Sequence, residues 1–231
     1  MKRLALLVIV LLCHGIAQAQ VREIKTTYAL LKGTFKLAEV TEIFSIDNNN
    51  RYHIESIAKP ILSWLLPTLT QTASGTVGAE GLRPEHFKQT IGNKPEKTLL
   101  ADFNWDTSEL VLNVRGEIKK HELKPLTFDS LSLKYQFMFS PPDSDGSVLL
   151  TDGKKVEEYA YRLMKDQWVN TPAGKYETLH VAKIVAPDEA KFELWLGKQQ
   201  HYVPVKVLAQ NEENKLEQVL TKIVIDEVTQ K

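Results

Sequence analysis

The side chains able to do chemistry in this chain are histidines, carboxylates and a few glycine-flanked turns, and their spacing argues for no particular reaction. His53, His86, His121, His180 and His201 fall in separate stretches. The closest ligand pairs, His53-Ile54-Glu55 and His121-Glu122, lack the further ligands that a zinc site collects. His53-x-Glu55 has the form of one fragment of a zinc deaminase, but the cysteine pair that completes such a site is missing. Asp143-Ser144-Asp145-Gly146 starts like a calcium loop, with its glycine too early and no chelating Glu at the required offset, so it reads as a solvated turn. The chain has no Gly-x-Ser-x-Gly elbow. Gly75-Thr76-Val77-Gly78 reads as a glycine-bracketed strand with a bend or bulge rather than a phosphate loop. Glu157-Glu158 and Glu212-Glu213 are sequence neighbours that point to opposite faces or sit in a turn, so neither forms an acid and base pair. The expectation is a non-enzymatic protein that uses no metal or cofactor.

Apolar side chains are the better site candidates. Pro60-Ile61-Leu62-Ser63-Trp64-Leu65-Leu66-Pro67-Thr68-Leu69 is the most apolar stretch after the N-terminal segment. Ile61, Trp64, Leu65 and Leu69 recur at the i, i+3, i+4, i+8 spacing of a helix face, Pro60 suits a first helical turn, and Pro67 limits its extension. The spacing predicts a short helix or lid, and those four residues are the ligand-binding candidates. Trp64, with Phe139, Tyr159 and Tyr161, could line a cavity between a curved sheet and a covering helix. The alternative is that these aromatics fill the core.

The elements that would position them are mostly strands. Residues 21–31, 34–46 and 51–58 alternate as strands, joined by Lys32-Gly33 and by Asp47-Asn48-Asn49-Asn50, whose Asn and Asp tolerate left-handed backbone. Within 34–46, Phe35 and Leu37 take one face while Val40, Phe44 and Ile46 take the other, a change of phase that predicts a bulge or a strong twist. Strands follow at 70–77, 82–91, 99–105 and 109–115, the last two around Asp106-Thr107-Ser108. Residues 126–139 fit two periods. Leu131, Tyr135 and Met138 make a helix face with Asp129 as N-cap, whereas Leu131, Leu133, Tyr135, Phe137 and Phe139 make a strand. Strands at 148–151 and 156–164 lead into an antiparallel meander from Trp168 onward. Its turns are Thr171-Pro172-Ala173-Gly174, Pro187-Asp188-Glu189, Gly197-Lys198-Gln199-Gln200 and Asn211-Glu212-Glu213-Asn214. The strand after Gly174 carries apolar residues on both faces and should be covered on both. Pro204 cannot donate to a ladder and marks a strand start, a bulge or an edge.

Lys2 and Arg3, the apolar run from Leu4 to Leu12 and Ala17-Gln18-Ala19 together have the form of a secretory signal cleaved after Ala19. The run is short for a membrane span, so no transmembrane anchor is expected after cleavage. Cys13, the only cysteine, lies in this segment behind Leu11 and Leu12, without the small residue that a lipoprotein signal places before its cysteine. The chain carries 29 basic and 29 acidic residues; removing Lys2 and Arg3 leaves a net charge of −2. Such a balance gives no reason to expect a nucleic-acid partner. With no linker or aligned repeat, residues 1–19 read as a signal peptide and 20–231 as a single β-rich domain, large enough to fold without staples.

Several blocks, in this order, resemble one known family: Gly75 with Gly81-Leu82-Arg83-Pro84-Glu85-His86-Phe87, Asp102-Phe103-Asn104-Trp105, Phe128-Asp129-Ser130-Leu131-Ser132-Leu133-Lys134-Tyr135, Thr171-Pro172-Ala173-Gly174-Lys175-Tyr176, Leu194-Trp195-Leu196 and Val203-Pro204-Val205. The chain is similar, over roughly residues 25 to 225, to an uncharacterised family of exported bacterial proteins, domain of unknown function 3108. The resemblance implies a secreted or periplasmic, mostly β protein with no established activity or catalytic residues. It also implies that the block from Phe128 to Tyr135 starts a helix, although Leu133-Lys134 departs from the small residue usual there.

The reading is therefore a mainly β protein, a single curved antiparallel sheet or open β-barrel with one or two short helices. Functionally it reads as a periplasmic non-enzymatic protein that binds a lipid or other apolar ligand, or an envelope component, in a concave cavity. The alternative is an envelope structural or interaction protein with a filled core, whose contacts are with other envelope proteins.

Overall fold

The computed structural model describes residues 19–186 and 189–229. Residues 1–18 of the expected signal peptide, Cys13 included, and Pro187 and Asp188 of one expected turn lie outside the described residues.

Among the described residues fifteen strands make one sheet with β1 (Ala19–Lys32) at its centre. One wing continues in chain order through β2 (Phe35–Ile46), β3 (Arg51–Pro60), β4 (Leu69–Gly78), β5 (Gly81–Ile91), β6 (Leu99–Asn104), β7 (Glu109–Val114) and β8 (Glu117–Glu122). The other wing starts at its far edge with β9 (Thr127–Asp129), which leads into helix α1 (Ser130–Gln136). It returns to β1 through β10 (Gly146–Thr151), β11 (Val156–Thr171), β12 (Gly174–Lys183), β13 (Lys191–Gly197), β14 (Val203–Gln210) and β15 (Lys215–Thr229). Among the described residues β9 and β10 run parallel and the other neighbouring strands antiparallel. The sheet does not close, and β8 and β9 are its edges. β9 nevertheless packs against β5 of the opposite wing, so the sheet is curled into an open barrel.

Bulges supply the curvature. Leu30 pairs with Ala38 and Leu31 with Lys36, which leaves Leu37 as the extra residue and accounts for the change of phase in β2. Ser74 opposes His86 while Gly75 opposes Pro84, so Glu85 is extra in β5. Only glycine fits at 75, because a Cβ there would meet the Arg83 carbonyl oxygen at 2.1 Å and the Tyr52 ring at 2.9 Å. Trp195 opposes Lys206 while Leu196 opposes Pro204, so the proline sits beside a bulge at Val205. Each bulge adds local twist, and a sheet this wide curls where a flat one would splay. The open edges are blunted: β8 is Glu117-Ile118-Lys119-Lys120-His121-Glu122, and β9 is only three residues long.

Two apolar clusters fill the fold. The larger joins both wings through Phe44, Ile54, Phe87, Leu112, Leu131 and Leu194, among others. The smaller contains Tyr28, Val40, Tyr176, Trp195, Val205, Leu208 and Leu220. On β13, Leu194 and Leu196 belong to the first cluster and Trp195 to the second, so this strand is covered on both faces. β12 behaves likewise, with Val181 in the first cluster and Tyr176 in the second, as its two apolar faces lead one to expect.

Among the described residues one α-helix is present, within the one or two short helices expected, and it is α1 rather than the stretch after Pro60. The stretch after Pro60 forms turns, with the amides of Leu65 and Leu66 both donating to the Leu62 carbonyl, and Leu69 already belongs to β4. Six residues between Pro60 and Pro67 complete little more than one turn, too few to propagate a helix without a surface to pack on. That surface is missing here, since Ile61, Leu62, Trp64, Leu65 and Leu66 are all exposed.

Candidate functional site

α1 is held at both ends by side chains that the sequence places for the purpose. Asp129 Oδ1 accepts from the amides of Leu131 and Ser132, and its other oxygen accepts from the Ser132 hydroxyl. This is a satisfied N-cap. At the far end Gln136 Oε1 accepts from the Leu82 amide, and its Nε2 donates to the Glu80 carbonyl. Tyr52 from β3 shares a hydrogen bond with the Ser132 hydroxyl, and Trp105 Nε1 donates to the Pro84 carbonyl. These bonds tie together the blocks of Gly81 to Phe87, Trp105 and Phe128 to Tyr135, and Gly75 joins them through the Tyr52 ring packed beside it. Their co-occurrence in the sequence is explained by packing around one helix, which touches β3, β4, β5, β9, β10 and β14.

A charged pair is enclosed beneath α1. Glu42, 2% exposed, points inward from β2 between Val40 and Phe44. Its Oε1 accepts from Lys134 Nζ and from the Ser56 hydroxyl, and its Oε2 accepts from the Tyr135 hydroxyl. With both oxygens occupied, the carboxylate is satisfied rather than stranded. Burial, aided by the Glu42 charge, pushes the Tyr135 phenol well above its ordinary range, so it stays a donor. Burial likewise raises the Asp129 carboxyl to about 6 against the pull of its three donors.

Beside this pair, between α1 and the second wing, lies a cavity of about 260 Å³. Leu133, Leu150, Tyr159, Phe192, Leu194 and Ala209 form its apolar wall, and Lys134, Glu157, Lys183 and Lys191 supply its charges. Tyr159 stacks edge-on against Phe192, and its hydroxyl, closed off from solvent, has no hydrogen-bond partner. An unpaired buried hydroxyl costs about 1–3 kcal/mol relative to a paired one. Burial raises the Tyr159 pKa. Lys155 and Lys183 both reach Glu157, and hydrogen bonding from Lys155 in the first place holds that carboxyl below its usual range.

The four apolar candidates lie elsewhere. Ile61, Trp64 and Leu65 stand in the β3–β4 connection, with Trp64 81% exposed, and Leu69 is half-buried at the start of β4. Of the aromatics, Tyr159 is the one that lines the cavity. Phe139 packs on Phe44, and Tyr161 sits edge-on to Phe137. The histidines are dispersed: His180 lies between Gln167 and Glu193 and stacks on Trp195, His201 bonds Glu227, and His86 bonds Asp102. The His86–Asp102 pair opens on a polar recess with Arg83 and Trp105, but both groups are solvent-exposed, where such pairs contribute little. Among the described residues no three His, Cys, Asp or Glu side chains gather as a metal site would require.

Sequence reasoning missed Glu42, Lys134 and Lys183. Glu42 did leave a signal, a carboxylate at the inward parity of Val40, Phe44 and Ile46. Lys183 left none, because it meets Glu157 and Tyr159 only through the pairing of β12 with β11.

The described residues thus form a curled, unclosed β-sheet plugged by one α-helix. The chain belongs to the family described as Protein of unknown function (DUF3108), which matches residues 24–221. A β-barrel-like protein of domain of unknown function DUF1849 from Brucella abortus has a similar fold, with a TM-score of 0.56 at 11% identity over 90% of this chain and 100% of that one. A lipoprotein candidate from Parabacteroides distasonis aligns with a TM-score of 0.43 at 9% identity, over 89% of this chain and 96% of that one. A candidate exported protein with a YmcC-like fold from Bacteroides fragilis aligns at 0.36 and 14% identity, over the same shares. No curated protein matches the chain.

Proposed function

We propose that this is a periplasmic, non-catalytic protein that holds an apolar ligand in the cavity between α1 and β10–β14. The observation that carries this reading is the cavity itself: an apolar wall roofed by the helix, with its charges as few specific groups, which is the usual composition of a ligand site. Export rests on the segment from Lys2 to Ala19. Native mass spectrometry of the protein purified without detergent from its own cell envelope tests the reading. The expected result is a reproducible added mass that extracts into organic solvent and is lost when Ala209→Phe fills the cavity. A bare polypeptide mass from the unaltered protein overturns it.

The exposed β3–β4 connection favours a second reading, an interaction protein that meets another envelope protein through Ile61, Trp64 and Leu65. Five large apolar side chains exposed in six residues are unusual outside contact surfaces. A photo-crosslinker in place of Trp64 in intact cells should then capture one discrete protein, whereas lipid adducts alone would count against it.

A further inference from the structure

The charges around the cavity are arranged for more than solubility, and the way Lys183 is held shows how. Glu157 has two lysine partners. Lys155 Nζ lies 2.5 Å from Glu157 Oε2, whereas Lys183 Nζ lies 3.5 Å from Glu157 Oε1, beyond a good hydrogen bond. Lys155 is not part of the cavity wall; Lys183 is. Lys183 can therefore leave Glu157 for another anion without stranding the carboxylate, which Lys155 continues to neutralise. Its Nζ also stands 5.9 Å over the ring of Tyr159, so the cation already borders the apolar wall. Lys134, by contrast, is committed to Glu42 beneath the helix and has no charge to spare. Lys191 adds a further cation to the wall at the start of β13. Three lysines against the single carboxylate of Glu157, one of them already matched elsewhere, leave the wall with a surplus of positive charge.

We infer that the ligand is a single-chain amphiphile with an anionic head group, its hydrocarbon chain in the cavity and its head on Lys183, with Lys191 beside it. This rests on the apolar-ligand reading above and narrows it to a chemical class. The cavity, at about 260 Å³, falls just below the roughly 300–1,000 Å³ usual for ligand sites, which suits one chain rather than two. A carboxylate and a phosphate monoester share the chemistry that Lys183 would read.

Isothermal titration of the mature protein with dodecanoate, dodecyl phosphate and 1-dodecanol tests the inference. The expected result is that at least one anionic probe binds about tenfold tighter than dodecanol at low salt, and that 0.5 M NaCl erodes the difference. Lys183→Gln should remove most of the preference by weakening the anionic probes far more than dodecanol, while Lys183→Arg, which keeps the charge, should restore it. The two anionic probes distinguish a fatty-acid head from a phosphate head. Equal binding of dodecanol and both anions would overturn the head-group assignment and leave the apolar-ligand reading standing. Binding of none of the three by a protein whose melting curve shows it folded would overturn both. A preference that survives Lys183→Gln undiminished would also overturn the assignment to that residue.

Discussion

Two stretches of this chain carry apolar residues at helical spacing, and they end in opposite states. Residues 130–136 form α1, touch both wings of the sheet and bury Leu131, Leu133 and Tyr135. Residues 61–66 form an exposed set of turns in the β3–β4 connection. The difference is not in propensity, since both segments are too short to be stable helices alone. α1 has an aspartate that satisfies its first amides, a glutamine that anchors its end, and a buried acceptor for its lysine and tyrosine. The 61–66 stretch has a proline at each flank and no covering surface. Periodicity thus marks which side chains prefer to leave water, while caps and tertiary partners decide whether a helix forms.

The strongest way to break the contrast is to remove the acceptor under α1. Glu42→Leu leaves Lys134 beneath the helix without its counter-charge and deprives Tyr135 and Ser56 of their acceptor. Loss of one partner of a buried pair should lower stability by about 3–5 kcal/mol, read as the shift of the urea unfolding midpoint. The double variant Glu42→Leu with Lys134→Met should recover much of this, because no charge is then left buried. It will not recover all of it, because the two hydroxyls stay unpaired. A double variant as unstable as the single one would show that Lys134 does not depend on Glu42.

Asp129 sharpens the comparison through pH. Its folded pKa of about 6 lies above the ordinary carboxyl value because burial disfavours the charge. Between roughly pH 4 and pH 6 the folded state therefore binds more protons at this site than the unfolded chain does. Its contribution to stability is fully present below that window and declines as pH rises through 6, opposite to the usual behaviour of a salt-bridged carboxylate. The loss is on the order of 3 kcal/mol. Asp129→Asn, which cannot titrate, should therefore gain by about that amount relative to the unaltered protein between pH 4 and pH 7 in urea unfolding. A difference that stays flat across that range would place the carboxyl at an ordinary pKa. The 61–66 stretch has no ionisable side chain and should contribute nothing to this pH profile.

Much of the sheet was legible because alternation and turn chemistry are local. Asp47-Asn48-Asn49-Asn50 folds as read, with Asp47 Oδ1 accepting from the amides of Asn49 and Arg51, and the Asn211 side chain closes the last hairpin in the same way. The bulge in β2 was visible as a change of phase. β8 was not, since Glu117-Ile118-Lys119-Lys120-His121-Glu122 has the composition of an exposed edge, where strand pairing demands no apolar face. β9 was hidden for a different reason: three residues carry no period, and their parallel pairing with β10 is set by the helix that follows. The cavity was illegible almost throughout, because its wall gathers one to three residues each from α1 and five strands whose neighbourhood exists only after the sheet has curled. The same holds for the choice between Lys155 and Lys183 at Glu157, which rests on about an ångström.

The smallest expected effect falls on the stretch that the sequence made most conspicuous. Trp64→Glu together with Leu65→Glu should change the unfolding free energy by no more than about 0.5 kcal/mol, because both side chains already face solvent in the folded state. Leu131→Glu in α1, which forces a charge into the larger cluster, should prevent folding. If the double variant instead lost several kcal/mol, the connection would be packed against something in the folded protein, and the contrast with α1 would collapse. Its ligand content separates the two functional readings. Retention of an apolar ligand by the folded double variant would place that ligand away from the connection, consistent with the cavity under α1. Loss of the ligand with stability unchanged would return Ile61, Trp64, Leu65 and Leu69 to the binding site.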